Sequence, residues 1–253
     1  MTNRELAEFL DEQVERFNCT EFIEFDPISI PHQFQKRQDI EIAGLIAAVF
    51  AWGQRKTIIS KSKEFLNLMD NDPYEFLLNH QENDLKRFLT FVHRTFQPTD
   101  ALYFIEFLSS YYHKNDSLEI LFLPNQSIDL GIVNFHNQFF NHPHAPNRTK
   151  KHIPTPERKS SCKRINMFLR WMVRQDDKGV DFGIWMNLKP ADLICPLDVH
   201  VGNVARELGL LKRKQNDWSA AIDLTHKLRK FDPNDPVKYD FALFGLGVSG
   251  VLN

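Results

Sequence analysis

The stretch IEIAGLIAAVFAW, Ile40 to Trp52, is apolar on every side of a helix. A helix without a polar face has to be surrounded by other elements. No apolar run in the chain is long enough to span a bilayer, so this one belongs inside a protein core. The chain must therefore wrap further elements around a buried central helix. Their periodicity is helical nearly throughout.

Residues 3–17 read as an amphipathic helix, and 27–37 as a loop. The buried segment ends at Gly53, and 54–69 reads as the next helix. Asn71-Asp-Pro73 makes a turn with a short helix after it. Helices are expected over 84–96 and over 100–113, the latter capped by Thr99 or Asp100. Residues 117–140 suit one helix or two, interrupted at Pro124. Further helices fall over 161–174, after Asp198, and over 216–231, where Asp232-Pro-Asn-Asp-Pro236 forces a stop. With no convincing run of strands, the expected fold class is all-α. A length of 253 residues fits one large domain or two small ones. The 22 Phe residues make the core rich in rings.

Net charge is close to balance at −2, so no global attraction to polyanions is built in. The distribution is uneven. Residues 1–47 carry ten acidic and four basic side chains; residues 148–174 carry nine basic ones against Glu157 alone. That second run is either a phosphate-binding surface or a solvated face. The N-terminus is acidic and amphipathic, unlike a signal peptide. Cys19, Cys162 and Cys195 are isolated, which argues against a zinc ribbon or an iron–sulfur cluster and fits a reducing cytosol. The polar loop 141–160 holds His142, His144 and His152, with His136 before it. Their spacing matches no standard ligand pattern and no acidic or Cys partner lies close in sequence, so neither a metal nor a cofactor is expected.

The most informative segment is PLDVHVGNVARELGL, 196–210. Val201, Val204, Ala205 and Leu208 have helical spacing, Asp198 is placed as the N-cap, and Gly209 is placed to end the helix. Alone, Asp198 is most simply a cap and Lys163 a surface lysine. Taken in order, Ala43–Thr57, Lys163-Arg-Ile-Asn-Met-Phe-Leu169 and Leu197–Leu210 resemble the helix-hairpin-helix DNA glycosylase superfamily of base-excision repair. In that family a lysine opens a helix after a hairpin, in a K-x-x-N-like pattern. A V-D-x-H-V-x-R-V-x-x-R-L-G-like segment follows, and an early apolar helix ends in a Q-x-x-T-like turn. The chain as a whole also resembles a bacterial family of unknown function carrying the same K-R-x-N-M-F-L-R-W-M and D-V-H-V segments.

The resemblance implies a single two-lobed unit. Its helical lobe would span about 40–140, its basic loop 141–160, and its hairpin and catalytic lobe 156–253, packing with the N-terminal helix. It implies Lys163 as nucleophile and Asp198 as the carboxylate that stabilises positive charge on the sugar. It implies DNA contacts from Gln54, Arg55, Lys56, Lys159, Ser160, Ser161, Arg164 and His200. The extruded base needs an aromatic pocket, for which Trp52, Phe168 and Trp185 are candidates. The partner would be double-stranded DNA with a damaged base or an abasic site, met by a monomer at the nucleoid in the cytoplasm.

Two departures stand out. The family's hairpin is Gly-rich; here it is Pro156-Glu-Arg-Lys-Ser-Ser-Cys-Lys163, with Ser160 and Ser161 where glycines are usual. The gap between Lys163 and Asp198 is longer than usual, a feature similar to the archaeal branch that removes oxidised guanine. Two other readings remain open: a catalytically inactive nucleic-acid-binding protein on the same fold, and an all-α interaction domain.

Overall fold

The chain opens with the amphipathic helix α1 (Asn3–Phe17), started by a capping box between Thr2 and Glu5. Leu6, Leu10 and Val14 form its buried stripe. After α2 (Glu21–Glu24), short 3-10 turns at Pro27–Ser29 and Pro31–Gln33 occupy the expected loop. This computed structural model describes residues 1–123 and 127–250.

The central helix is α3 (Arg37–Phe50), and each of its residues from Asp39 to Phe50 is buried. Burial of one large aliphatic side chain contributes roughly 1.5–3 kcal/mol, so α3 is a main source of stability. It packs against α10 (below) and against α4 (Arg55–Asn67) and α5 (Pro73–Asn79). Its two buried acids have partners. Asp39 accepts from the Tyr74 amide at 2.8 Å, in the first turn of α5. Glu41 collects the Trp185 indole, the Ser117 and Tyr112 hydroxyls, the Leu118 amide and Arg37.

The expected helix over 84–96 is absent. α6 (Glu82–Leu85) runs into a 3-10 turn, Lys86–Thr90, and then a tight turn closes with His93 facing Phe96. This path buries Phe88, Phe91, His93 and Phe96 together. A helix would place His93 opposite Phe91; here its Nε2 reaches the Phe50 carbonyl at 3.1 Å, at the end of α3. Phe50 and Phe96 lie 4.9 Å apart, and Phe65 and Phe91 5.0 Å apart, so the ring-rich core is concentrated here.

α7 (Pro98–Tyr112) begins two residues before the expected start, and its cap is Gln97 rather than Thr99 or Asp100. Asp100 instead reaches back to the Gln97 amide at 2.8 Å. α8 (Glu119–Phe122) and α9 (Ile128–Phe140) follow; Pro124, the expected interruption, lies outside the described residues. The polar segment after α9 contains 3-10 turns at Asn147–Lys151 and Pro156–Arg158.

The last four helices are α10 (Lys163–Val173), α11 (Val199–Glu207), α12 (Trp218–Leu228) and α13 (Tyr239–Ser249). α13 packs between α1 and α11. Gly245 permits the first of these contacts, since a Cβ there would lie 2.3 Å from the Phe17 ring. The segment joining α10 to α11 folds back on α10, with the Phe182 and Trp185 amides donating to Trp171 and Met172 carbonyls. Among the described residues there is no strand, and the fold is all-α. No helix among them is long and apolar enough to cross a membrane.

Candidate active site

Two helix starts meet across a cavity. Lys163 is the first residue of α10, and Asp198 caps α11. Asp198 Oδ1 accepts from the Val201 amide at 3.0 Å. Its Oδ2 lies 3.7 Å from Lys163 Nζ, and the two side chains are 22% and 25% exposed. One carboxylate therefore serves as a cap and also faces an amine.

The support behind Asp198 is specific. Asn216 donates to the Asp198 carbonyl at 2.9 Å, and Arg206 donates to the Asn216 side chain and to the Arg213 and Lys214 carbonyls. Gly202 makes room for this contact, because a Cβ there would sit 2.6 Å from Asn216 Oδ1. Arg206 thus orders a loop. On the other side, Ser161 Oγ donates to the Leu197 carbonyl at 3.0 Å and ties the start of α10 to the residue before Asp198.

The cavity has a volume of about 450 Å³, within the range of small-molecule sites. Phe22, Trp52, Trp171 and Phe244 supply its aromatic surface. The guanidinium of Arg55 lies 4.9 Å from the Phe244 ring centre and Lys163 Nζ 6.0 Å from it. Arg94 stacks over Trp52 at 4.7 Å, and Gly53, at φ +112°, leaves space for it. The indole N–H groups of Trp52 and Trp171 are buried without a hydrogen-bond partner.

Two more acids line the cavity. Burial pushes the Asp240 carboxyl up to about 6; the charge of Arg170 opposes this and that of Asp198 adds to it. Burial also raises Asp26, against a hydrogen bond from the Ile28 amide. Arg170 bonds to Asp240, and sits 3.3 Å from Asp181 and 4.2 Å from the Phe241 ring centre.

The sequence-derived candidates divide. Lys163, Asp198, Trp52, Arg55 and His200 all border the cavity. Gln54 precedes α4 as its cap residue, without a side-chain capping bond, and Lys56 follows in its first turn; both are exposed. Phe168 and Trp185 do not border it. They pack edge to face, 5.3 Å apart, in the core, and Trp185 donates to Glu41 at 2.8 Å. Arg164 is turned inward, donating to the Val49 and Lys151 carbonyls, and burial pushes its pKa down to about 10. It joins α10 to the end of α3.

The segment Pro156–Lys163 has its own internal bonding. Its left-handed residues are Lys159 (φ 58°) and Cys162 (φ 51°). The serine hydroxyls are also engaged internally: Ser160 accepts from the Cys162 amide at 3.1 Å, and Ser161 bonds to Leu197. Lys159 remains exposed. The basic run 148–174 offers less free charge than its composition suggests. Arg170 and Arg174 are buried, Arg174 among Asp176, Asp181 and Asp235, and Arg148 pairs with Asp100 at 3.3 Å.

Met167, Arg170 and Trp171, from the K-R-x-N-M-F-L-R-W-M segment, also line the cavity, as do Phe22, Asp26, Asp240 and Phe244, which the sequence does not single out. These last four fall in ordinary helical or turn patterns, and no local signal distinguishes them from core.

A family model described as "Protein of unknown function (DUF2400)" matches residues 26–249, and the chain belongs to that family. No curated protein and no solved structure matches it.

Proposed function

We propose that this protein is a DNA glycosylase with AP-lyase activity. The observation that carries this reading is the convergence of Lys163 and Asp198, at 3.7 Å, on an aromatic-walled cavity. In the proposed reaction the neutral Lys163 amine bonds to C1′ of the damaged nucleotide. The C1′–N bond breaks and the base leaves with its electron pair, taking up a proton. Positive charge grows on the sugar, and the fixed Asp198 carboxylate stabilises it. Loss of the amine proton and ring opening give a Schiff base. Removal of a C2′ proton then expels the 3′ phosphate by β-elimination.

The cavity would take the extruded base, stacked against aromatic side chains. An oxidised purine is the base proposed, from the long gap between Lys163 and Asp198. Arg55 at the cavity and the exposed Lys56 and Lys159 would contact phosphates of duplex DNA. The site would act in a monomer at the nucleoid.

The inward-turned serines of the hairpin favour a second reading, a nucleic-acid-binding protein without catalysis. Borohydride trapping on duplex DNA with an abasic site separates the two. Wild type should form a covalent adduct, and Lys163→Ala should reduce it by about 10³-fold or more while still binding DNA. An adduct that persists in the variant removes Lys163 from the role. Binding by wild type without an adduct or base release favours the second reading.

A further inference from the structure

His142 and His144 flank Pro143 just after α9. The fold delivers the acidic partner that their sequence neighbourhood lacks: Glu106 of α7, 38 residues before His144. We propose that Glu106, His142 and His144 form a binding site for a divalent transition-metal ion of the zinc type, clipping the segment after α9 onto α7.

Geometry supports this first. One ligand atom from each residue lies within 4.8 Å of the others, the one such group of three among the described residues. Glu106 Oε1 lies 2.5 Å from His144 Nδ1 and 3.6 Å from His142 Nδ1. Ligands at about 2.0–2.1 Å around a tetrahedral zinc stand about 3.3 Å apart, close to the Glu106–His142 separation, and the Glu106–His144 hydrogen bond would open by about 0.8 Å as its proton is displaced. His144 is 74% exposed on its side chain, which leaves it free to adjust.

The second support is an unmet bonding need. His142 Nδ1 is buried and has no hydrogen-bond partner. The Glu106–His144 hydrogen bond leaves His142 Nδ1 3.6 Å from the same carboxylate oxygen, just beyond hydrogen-bond distance. An ion between the three groups would satisfy it. The ring is also oriented, packed edge to face on Tyr103 at 6.2 Å. Two imidazoles and a carboxylate select zinc, nickel or copper over magnesium or calcium. Three protein ligands leave a fourth position for water.

The test is calorimetric titration of chelator-stripped full-length protein with Zn²⁺ alone. One ion per chain should bind with a dissociation constant of about 10 µM or tighter. His142→Ala, His144→Ala and Glu106→Gln should each weaken binding by at least about tenfold, as loss of a ligand requires. Cobalt(II) in the same site should absorb without a thiolate charge-transfer band. Zn²⁺ should raise the unfolding midpoint of wild type and not that of the His142→Ala/His144→Ala double variant. Binding that survives in the double variant, a thiolate band, or no binding below about 100 µM would overturn the assignment.

Discussion

Glu41 and Asp198 are both carboxylates placed by helices, and they are furnished in opposite ways. Glu41 is completely buried and receives five donors on its two oxygens: Trp185, Ser117 and Arg37 on one, Tyr112 and Leu118 on the other. Asp198 receives one amide, and its second oxygen faces Lys163 beside a cavity. Polar groups that stabilise a core are filled to capacity, because an unpaired buried donor is costly. Groups that act on a ligand need capacity left over. By that criterion the α3 network is architecture, and the junction of α10 with α11 is where the proposed chemistry would sit.

The largest expected effect tests the first half of that contrast. Glu41→Ala strands four neutral donors in the core and should lower the unfolding free energy by about 3–5 kcal/mol, read from urea denaturation. Protein that remains folded should keep the DNA binding proposed above, since Glu41 does not border the cavity. A loss below about 1 kcal/mol would show that water replaces the donors' partner easily.

Next in size is Asp198→Asn. Asn caps a helix about as well as Asp, so stability should stay within about 0.5 kcal/mol of wild type. In the proposed reaction base release should nevertheless fall by about 10²–10³-fold, because the charge that would stand beside the sugar is gone. Asp198→Ala should show the same rate loss and an added stability loss of about 1 kcal/mol from the missing cap. Unchanged base release in Asp198→Asn would reduce this residue to a cap.

The local half of this contrast could be read from sequence. Asp198 caps its helix, and Gly209, at φ 72°, closes it with the Leu210 amide on the Ala205 carbonyl. The all-round apolar pattern of 40–52 marked α3 as central. Both signals lie within one helix and its ends. What escaped depends on distant partners. Arg170 and Arg174 resemble solvated charges until Asp181, Asp235 and Asp240 arrive from later segments. Phe168 and Phe244 are both aromatic residues in apolar helical runs, yet one is filled in by Trp185 and the other borders a void. Helix periodicity reports that a residue is covered, not what covers it.

Asp240 stands between the two extremes, buried at 6% exposure but bordering the cavity, and it supplies the smallest and most discriminating test. Its carboxyl is raised from 3.8 to about 6, chiefly by burial. The folded protein therefore holds this proton more tightly than the unfolded chain does. The resulting stabilisation is complete below about pH 4 and is lost as pH rises through about 6. Across that window it amounts to about 2–3 kcal/mol. Asp240→Asn carries no titrating proton, so its stability relative to wild type should improve by that amount between pH 4 and pH 7, whatever constant offset the altered Arg170 contact adds. Urea denaturation of both proteins at pH 4, 5, 6 and 7 measures the difference directly. Parallel curves would mean that Arg170 holds Asp240 charged throughout, placing it with Glu41 among the filled carboxylates. Diverging curves would place a proton that titrates near neutrality on the wall of the Lys163 cavity.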